Sequence, residues 1–528
     1  MKTSYPYFLL AFLLLTGCQR QQEKPVAVKT LNTFLVNEPL TLDPHRSWDH
    51  PSGVVISQIY EGLLEYSSRG NRLVPALATH WEVCDCGRCF TFDLRKEVHF
   101  QNDPCFPGGI GRQFVASDVI FSWERTVPNR NFRGMITRSP GDSVEFTIIN
   151  DHKIRVRFDK PRRSFLSMLT RSFAAIVPRE AVSFYAEHFE RHPVGTGPFR
   201  FLQWEPIRGI YLAKNPVYWQ TDSSGNPLPH IDRLNFLILP DALVRFNEFV
   251  QKRLHICSIP PQLYYKIIDS TNFRLKPEWR NRGIELLNSK ECLNTSFILM
   301  ASDSAYELPP TSRTGKMLSR NRFLRQALNY AVDRRALIRE FYPGGQAEPA
   351  AGFLPPPLNP ARKWGFCYAP QKARWLFDKA GFPQGKNMPE FKMVISATSR
   401  DLFTARAFCR QMKNWGVRIR IITAPFAEIR NAVLQNKAEF EWNGWIADFP
   451  DAINFIETVD LNTYAIDSET DIRKRNKLIA DWEAKYLERA PRIFLFHRSG
   501  RQLLVHRDVK NLVLSPFSSE FYKYVVKR

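Results

Sequence analysis

Residues 391–449 read FKMVISATSRDLFTARAFCRQMKNWGVRIRIITAPFAEIRNAVLQNKAEFEWNGWIADF, and they alternate between two hydrophobic periods. Met393 to Ser396 is an apolar run of strand length. Thr404 to Trp415 has helical spacing, and Val417, Ile419 and Ile421 alternate as a strand does. Ala427 to Gln435 is helical again. Strand, helix, strand, helix in this order is the signature of an α/β layer. The run ends on Gly444-Trp445-Ile446-Ala447-Asp448-Phe449, with a turn at Pro450-Asp451. A carboxylate at the end of a short strand, with an indole three residues before it, can capture a small cation. The acid supplies a charge-assisted hydrogen bond and the indole face supplies apolar cover. The same residues also fit a turn-capping Asp beside a core indole, which is the commoner use.

Outward from this stretch the chain continues in similar terms. Phe297 to Met300 reads as a strand. Ser319 precedes one helix with Leu324, Ala327, Leu328, Ala331 and Ile338 on a single stripe, and Pro370 to Ala380 forms another. Towards the N-terminus, Leu31 to Leu35 is a strand, Leu42-Asp43-Pro44-His45 a turn, and Val54 to Leu64 a helix. Phe90 to Arg95 alternates as a half-buried strand, and Ser117 is placed to cap a helix through Trp123. Leu234 to Leu239 is nearly all apolar, as expected for a strand covered on both faces, and Asp241 is placed to cap the helix after it. Leu503 to Val525 has strand character and is expected to return to the N-terminal part.

At 528 residues the chain exceeds one ordinary core, so two or three globular units are expected. Phe8 to Leu15 is an unbroken apolar run behind Lys2, too short to cross a bilayer but suited to a signal peptide. It is followed by Leu15-Thr16-Gly17-Cys18, which resembles a bacterial lipobox. That makes residues 1–17 a lipoprotein signal peptide, Cys18 the site of lipid attachment and residues 18–30 a tether. Lys plus Arg is 74 against 52 acids, a net charge of +22. The basic residues are scattered and the chain is expected to be exported, so nucleic acid is not a partner. Anionic headgroups or acidic ligands fit better. Cys84, Cys86, Cys89 and Cys105 fall close together. Disulfides are the expectation in an oxidising compartment, with connectivity open, and a structural zinc site is the alternative.

Several of these stretches, in order, resemble bacterial extracellular solute-binding proteins of family 5, the peptide-binding lipoproteins of ABC importers. They are Leu42 to His45, Glu61-Gly62-Leu63, Pro75 to Ala78 with Trp81-Glu82-Val83, and Phe92 to Lys96. Ser117 to Ser122, Gly195-Thr196-Gly197-Pro198-Phe199, Arg325 to Asp333, and Gly444-Trp445 with Asp448 complete the set. The resemblance implies an α/β, two-lobed periplasmic-binding-protein fold of type II, in the large peptide-binding class, with a third subdomain inserted in lobe I. Lobe I would span 31–289 with the insert at about 60–192, lobe II 290–497, and 498–528 would return to lobe I. It further implies that Asp448 pairs with the α-ammonium of a peptide, with Trp445 and Gly444 beside it. Arg400 would hold the ligand carboxylate, and Trp48, Asp49 and His50 would meet the peptide backbone. The expected protein is a monomer on the periplasmic side of the envelope, tethered through Cys18 and serving an ABC permease and ATPase. No cofactor and no metal are expected.

Other readings are weaker. HExxH, GxSxG and GxxxxGK[ST] are all missing, so no enzyme is expected. A transcriptional regulator with this fold needs a DNA-binding domain ahead of it, and thirty residues headed by a signal-like stretch leave no room for one. The remaining alternative keeps the fold and changes the ligand to a nickel chelate, haem or an oligosaccharide.

Overall fold

In the computed structural model the described residues are 28–528, without 68–71, 126–135, 138–141, 290–292, 303–307, 398, 461 and 515–521. The side chains of Ser399 and Arg400 are also outside the description. The signal stretch, Cys18, most of the tether and Cys292 therefore lie outside the described residues. No helix of the described residues is long and apolar enough to cross a membrane.

Two lobes face each other across a deep cavity. One lobe carries a four-stranded sheet in the order Thr30–Leu35, Arg233–Ile238, Gly209–Lys214, Phe199–Glu205, with its first pair parallel. Arg233–Ile238 buries only alternate residues, so it is covered on one face and not on both. The helix His50–Ile59 runs close by, and the Gly195-Thr196-Gly197 turn presses on its end. A Cβ at Gly195 would lie 2.1 Å from the Ile59 carbonyl oxygen. A second, antiparallel sheet, Ala78–Cys84, Cys89–Leu94, Lys153–Phe158 and Val144–Asn150, sets two hairpins side by side over an aromatic core of Phe90, Phe158 and Phe165.

The other lobe is a six-stranded mixed sheet, ordered Ala347–Pro349, Arg492–Arg498, Asn294–Met300, Phe440–Ile446, Phe391–Ser396, Ile419–Ala424. Its last two pairings are parallel, as the strand-helix-strand alternation requires. The expected long helix from Ser319 is three helices, Arg313–Arg320, Arg322–Ala331 and Arg334–Phe341. Asn321 and Asp333 break it, because their side chains accept from the amides of Leu324 and Ala336 and so restart the helix as caps. The Arg325 to Asp333 motif fastens this helix to the sheet. The Asn329 amide donates to the Arg492 carbonyl at 2.8 Å, and Arg334 Nε donates to the Phe494 carbonyl at 2.7 Å.

A three-stranded sheet, Ile256–Ser258, Gln502–His506, Ile284–Asn288, joins the C-terminal part to the first lobe's side. Residues 499–501 therefore link the six-stranded sheet to this smaller one. Gly500 fits only because it has no side chain, since a Cβ there would lie 2.2 Å from the Ser289 carbonyl oxygen.

Further local expectations fail: the strand Cys89–Leu94 is buried on both faces and not half-buried. Ser117 is not the helix cap: the helix is Ala116–Glu124, and Asp118 reaches back to the Val115 amide while Arg112 grips its carboxylate. The cysteine cluster is no staple and no metal site. All four residues are thiols, and no group of three potential metal ligands occurs among the described residues. Cys84 and Cys89 face each other across the hairpin. Cys86 sits at the turn with φ of 53°, and Cys105 packs near Asp103 and Tyr185. The hairpin is held by its ladder.

The glycine contacts give a direct contrast. Gly195→Ala is expected to destabilise by about 1–3 kcal/mol through backbone collision. Gly53→Ala, in the helix with nothing within 4 Å of the added carbon, is expected to stabilise by ~0.5–1 kcal/mol. Urea unfolding of the two variants measures both signs.

Candidate functional site

Asp448 follows the strand Phe440–Ile446, whose Gly444 and Trp445 sit opposite Ser296 and Thr295 of the neighbouring strand. Pairing continues one residue beyond the strand, where the Ala447 amide donates to the Leu293 carbonyl at 2.7 Å. The chain then turns under the control of Asn454, which is fully buried. The Asn454 side-chain oxygen accepts from the Trp445 indole nitrogen and from the Asp448 amide, both at 3.0 Å, and its amide donates to Asp448 Oδ2 at 3.3 Å. Asn454 is itself placed by Asp451, which accepts from the Ile453 amide and from Arg475 at 2.7 and 2.9 Å. The indole and the carboxylate are therefore one preorganised unit.

A cation already meets Asp448. Arg171, from the opposite side of the cavity, brings Nε to 3.0 Å from Asp448 Oδ2 and bonds Glu457 with Nη1. The Arg171 side chain is 8% exposed and Asp448 25%. The guanidinium lies over the Phe173 ring at 4.3 Å, and Phe449 is 5.9 Å from it. Arg171 thus bridges two carboxylates. More contacts join the same two sides. Ser164 donates through its amide and its hydroxyl to Asp467, both at 2.9 Å, and Arg163 donates to the Thr470 carbonyl at 3.0 Å.

The cavity between the lobes is about 1120 Å³, above the roughly 1,000 Å³ upper end of ordinary small-molecule sites. Gly444, Trp445, Asp448, Trp48, Asp49 and His50 all line it. Trp48 is 66% exposed, and its ring faces Phe426 of the other lobe at 6.1 Å. Asp49 lies on the wall, but its oxygens serve as the cap of His50–Ile59, accepting from the Ser52 amide at 2.9 Å and hydroxyl at 2.6 Å. Arg400 lies at the start of the helix Ser399–Lys413, with its side chain outside the described residues, while its neighbour Asp401 lines the cavity. Burial, then Arg501 and Arg498, push the His50 imidazole down to about 4, against the opposing pull of Asp448. His50 is therefore neutral at physiological pH.

The Leu42 to His45 turn does not reach ligand space. Asp43 takes Arg125 in two hydrogen bonds at 2.7 and 2.8 Å, and His45 Nε2 lies 3.0 Å from the Ala175 carbonyl oxygen. Glu61 is different: it lines the cavity and is buried. It accepts from Thr196, Tyr218 and Trp219. Burial nevertheless pushes its carboxyl up to about 7, against the pull of Lys523. Arg171, Glu457, Asn454, Phe426, Arg498 and Arg501 were not among the residues expected from the sequence. Only Asn454, six residues beyond Asp448 and just after the Pro450-Asp451 turn, offered a local signal.

Comparison with known proteins places this geometry among relatives. The family model for bacterial extracellular solute-binding proteins, family 5 Middle, matches residues 72–466. The chain is 28% identical over 425 residues to heme-binding protein A of Haemophilus influenzae, covering 76% of this chain and 71% of that one. It is 25% identical over 517 residues to the dipeptide-binding protein of Escherichia coli, with 88% of each covered. The structure superposes on a periplasmic binding protein of Helicobacter pylori in complex with the peptide STSA. The TM-score there is 0.78 at 20% identity, over 94% of this chain and 98% of that one. A dipeptide-binding protein from Pseudoalteromonas in complex with Met-Leu gives 0.79 at 20% identity, over 95% and 100%.

Glu61 makes folding stability depend on pH. Between its ordinary value of 4.5 and about 7, the folded chain binds a proton that the unfolded chain has released. Stability therefore falls as pH rises through that window and levels off above it. In Glu61→Gln this component of the fall is expected to vanish. Urea midpoints of both proteins from about pH 5 to about pH 8 check it, and equal slopes would contradict it.

Proposed function

We infer that this chain, which belongs to the bacterial extracellular solute-binding proteins of family 5, captures short peptides between its lobes and delivers them to an inner-membrane ABC permease with its ATPase. It acts as a binding protein and not as an enzyme. The lobes in this reading are 31–289, with an insert at about 60–192, and 290–497, with 498–528 returning to the first. The protein would be held at the periplasmic face of the membrane by lipid on Cys18.

The observation that carries the reading is the place of Asp448 on the cavity wall beside Trp445, both fixed by Asn454. Asp448 is a quarter exposed there, so a ligand cation can approach its carboxylate. The α-ammonium of a peptide is such a cation, small enough to sit at the carboxylate beside the Trp445 ring. Gly444 keeps the adjoining wall free of a side chain, so an extended backbone can approach it. The strand pairing of Phe440–Ile446 provides a straight support behind. The cavity volume admits more than a dipeptide. Closure of the lobes expels water and strengthens each of these interactions.

One observation favours a second ligand. His50 presents a neutral imidazole to a large cavity, and a neutral imidazole is a haem-iron ligand. The similarity to heme-binding protein A points the same way. Titration with haemin separates the two: a Soret shift that His50→Ala abolishes supports haem as cargo, and an unchanged Soret band supports the peptide.

For the peptide, calorimetric titration with a tripeptide and its N-acetylated form is decisive. Acetylation is expected to cost about 2–5 kcal/mol, the scale of losing a buried charge pair. Asp448→Asn is expected to lose a comparable amount for the free peptide and almost nothing for the acetylated one. Equal affinity of the two peptides for the unaltered protein would contradict the reading.

A further inference from the structure

The positive charge of the chain is unevenly placed. Residues 308–339 and 361–386 hold fourteen Lys and Arg against two acids, Asp333 and Asp378, so they carry +12 of the net +22. None of these residues lines the interlobe cavity, so ligand capture does not account for them.

The fold brings the two stretches together. The helices Arg313–Arg320 and Arg322–Ala331 meet at Asn321, whose side-chain amide donates to the Ala380 carbonyl at 2.9 Å, at the end of the helix Pro370–Lys379. At the other end of that helix the Ala369 amide donates to the Tyr330 carbonyl at 3.0 Å, and Lys372 Nζ donates to the Tyr330 hydroxyl at 2.8 Å. Leu318, Leu324, Leu328, Ala373, Leu376 and Phe377 are buried between these helices and the core, which leaves the polar residues outside. Three of the fourteen cations serve the fold: Arg325 and Arg334 donate to the carbonyls of Arg489 and Phe494, and Arg362 pairs with Glu483. The other eleven are exposed. Of these, Arg322 meets Glu488 and Lys363 meets Asp481, both at 3.0 Å.

Charge alone would serve solubility, but this face also holds bare aromatic rings. Trp375 is 53% exposed and Tyr368 48%, and Trp364 and Phe323 are exposed as well. Lys372, Trp375 and Lys379 recur on one stripe of their helix. Lys379 Nζ lies 5.8 Å from the Trp375 ring, and the Arg322 guanidinium lies 5.7 Å from the Phe323 ring. Indole and phenol rings favour the headgroup level of a bilayer, and Lys and Arg beside them meet the phosphates. Protein interfaces are instead depleted in lysine, and Lys316, Lys372, Lys379 and Lys386 are all exposed here.

We propose that this helical face of the second lobe docks on a membrane surface bearing anionic phospholipid headgroups. The proposal rests on the reading of Cys18 as a lipid anchor for keeping such a surface within reach, while the contact itself is made by the folded lobe.

The test uses the chain from residue 18 onward with Cys18→Ser, which keeps every described residue and removes both the signal stretch and the lipid site. Its sedimentation with phosphatidylcholine vesicles containing about one-third phosphatidylglycerol is compared with that on phosphatidylcholine alone. Binding to the charged vesicles is expected to be at least about tenfold stronger, and to weaken as salt is raised. The triple variant Lys316→Gln, Arg374→Gln, Lys379→Gln is expected to lose about tenfold to a hundredfold of that binding, and Trp375→Ala a smaller part of it. A matched triple on exposed residues of the first lobe, Lys252→Gln, Lys266→Gln, Arg280→Gln, lowers the net charge equally and is expected to stay within about twofold. No preference for phosphatidylglycerol overturns the proposal and needs no variant. Equal losses in the two triples also overturn it, because net charge alone then accounts for attachment. Mass spectrometry of the N-terminal peptide from envelope-isolated protein tests the lipid on Cys18 separately, so failure of that reading is distinguishable from failure of the docking face.

Discussion

The closed arrangement of the lobes is organised around one guanidinium. Arg171 crosses the cavity mouth to Asp448 and Glu457, and its low exposure means that its charge must be answered by protein or ligand. Removing one partner of a buried ion pair leaves the other uncompensated, at a cost of about 3–5 kcal/mol. The ion pair stands just past the end of the strand Phe440–Ile446, where Asp448 also lines the cavity. The same contact therefore joins the two sides of the cavity at its wall. The guanidinium rests on the Phe173 ring, 4.3 Å away.

The rest of the fold supports that arrangement. Asn454 ties the indole of Trp445 to the turn carrying Asp448, and Arg475 with Asp451 holds Asn454 in place. Arg334 and Asn329 pin the strand Arg492–Arg498, whose end begins the crossing between lobes. The cavity-lining residues on the six-stranded sheet thus stand at strand ends fixed by buried polar contacts.

Much of this was legible in the sequence. The alternation over 391–449 specified a layered α/β lobe because period 2 and period 3.6 are distinct there, and the parallel pairs appear where expected. Asp241 does cap its helix. Asp448, Trp445, Gly444, Trp48 and His50 all reach the cavity. What failed was decided by contacts distant in sequence or by local polar competition. Asp49 lines the cavity as well, with its carboxylate capping the helix through Ser52, so its position is not among the failures. Asn321 and Asp333 break a stripe that apolar spacing alone joins into one helix. Arg171 lies 277 residues before Asp448 (448 − 171), and no periodicity links such positions. Arg498 and Arg501 read locally as scattered basic residues, and only the crossing of two strands brings them to the cavity wall.

The central claim is that the cavity holds a peptide by its amino end. It is tested most directly by releasing whatever ligand accompanies the protein when isolated from the envelope, and sequencing it by mass spectrometry before and after amine-specific labelling. The account predicts short peptides whose α-amino groups take the label. A macrocycle, a sugar, or peptides blocked at the amino end would contradict it.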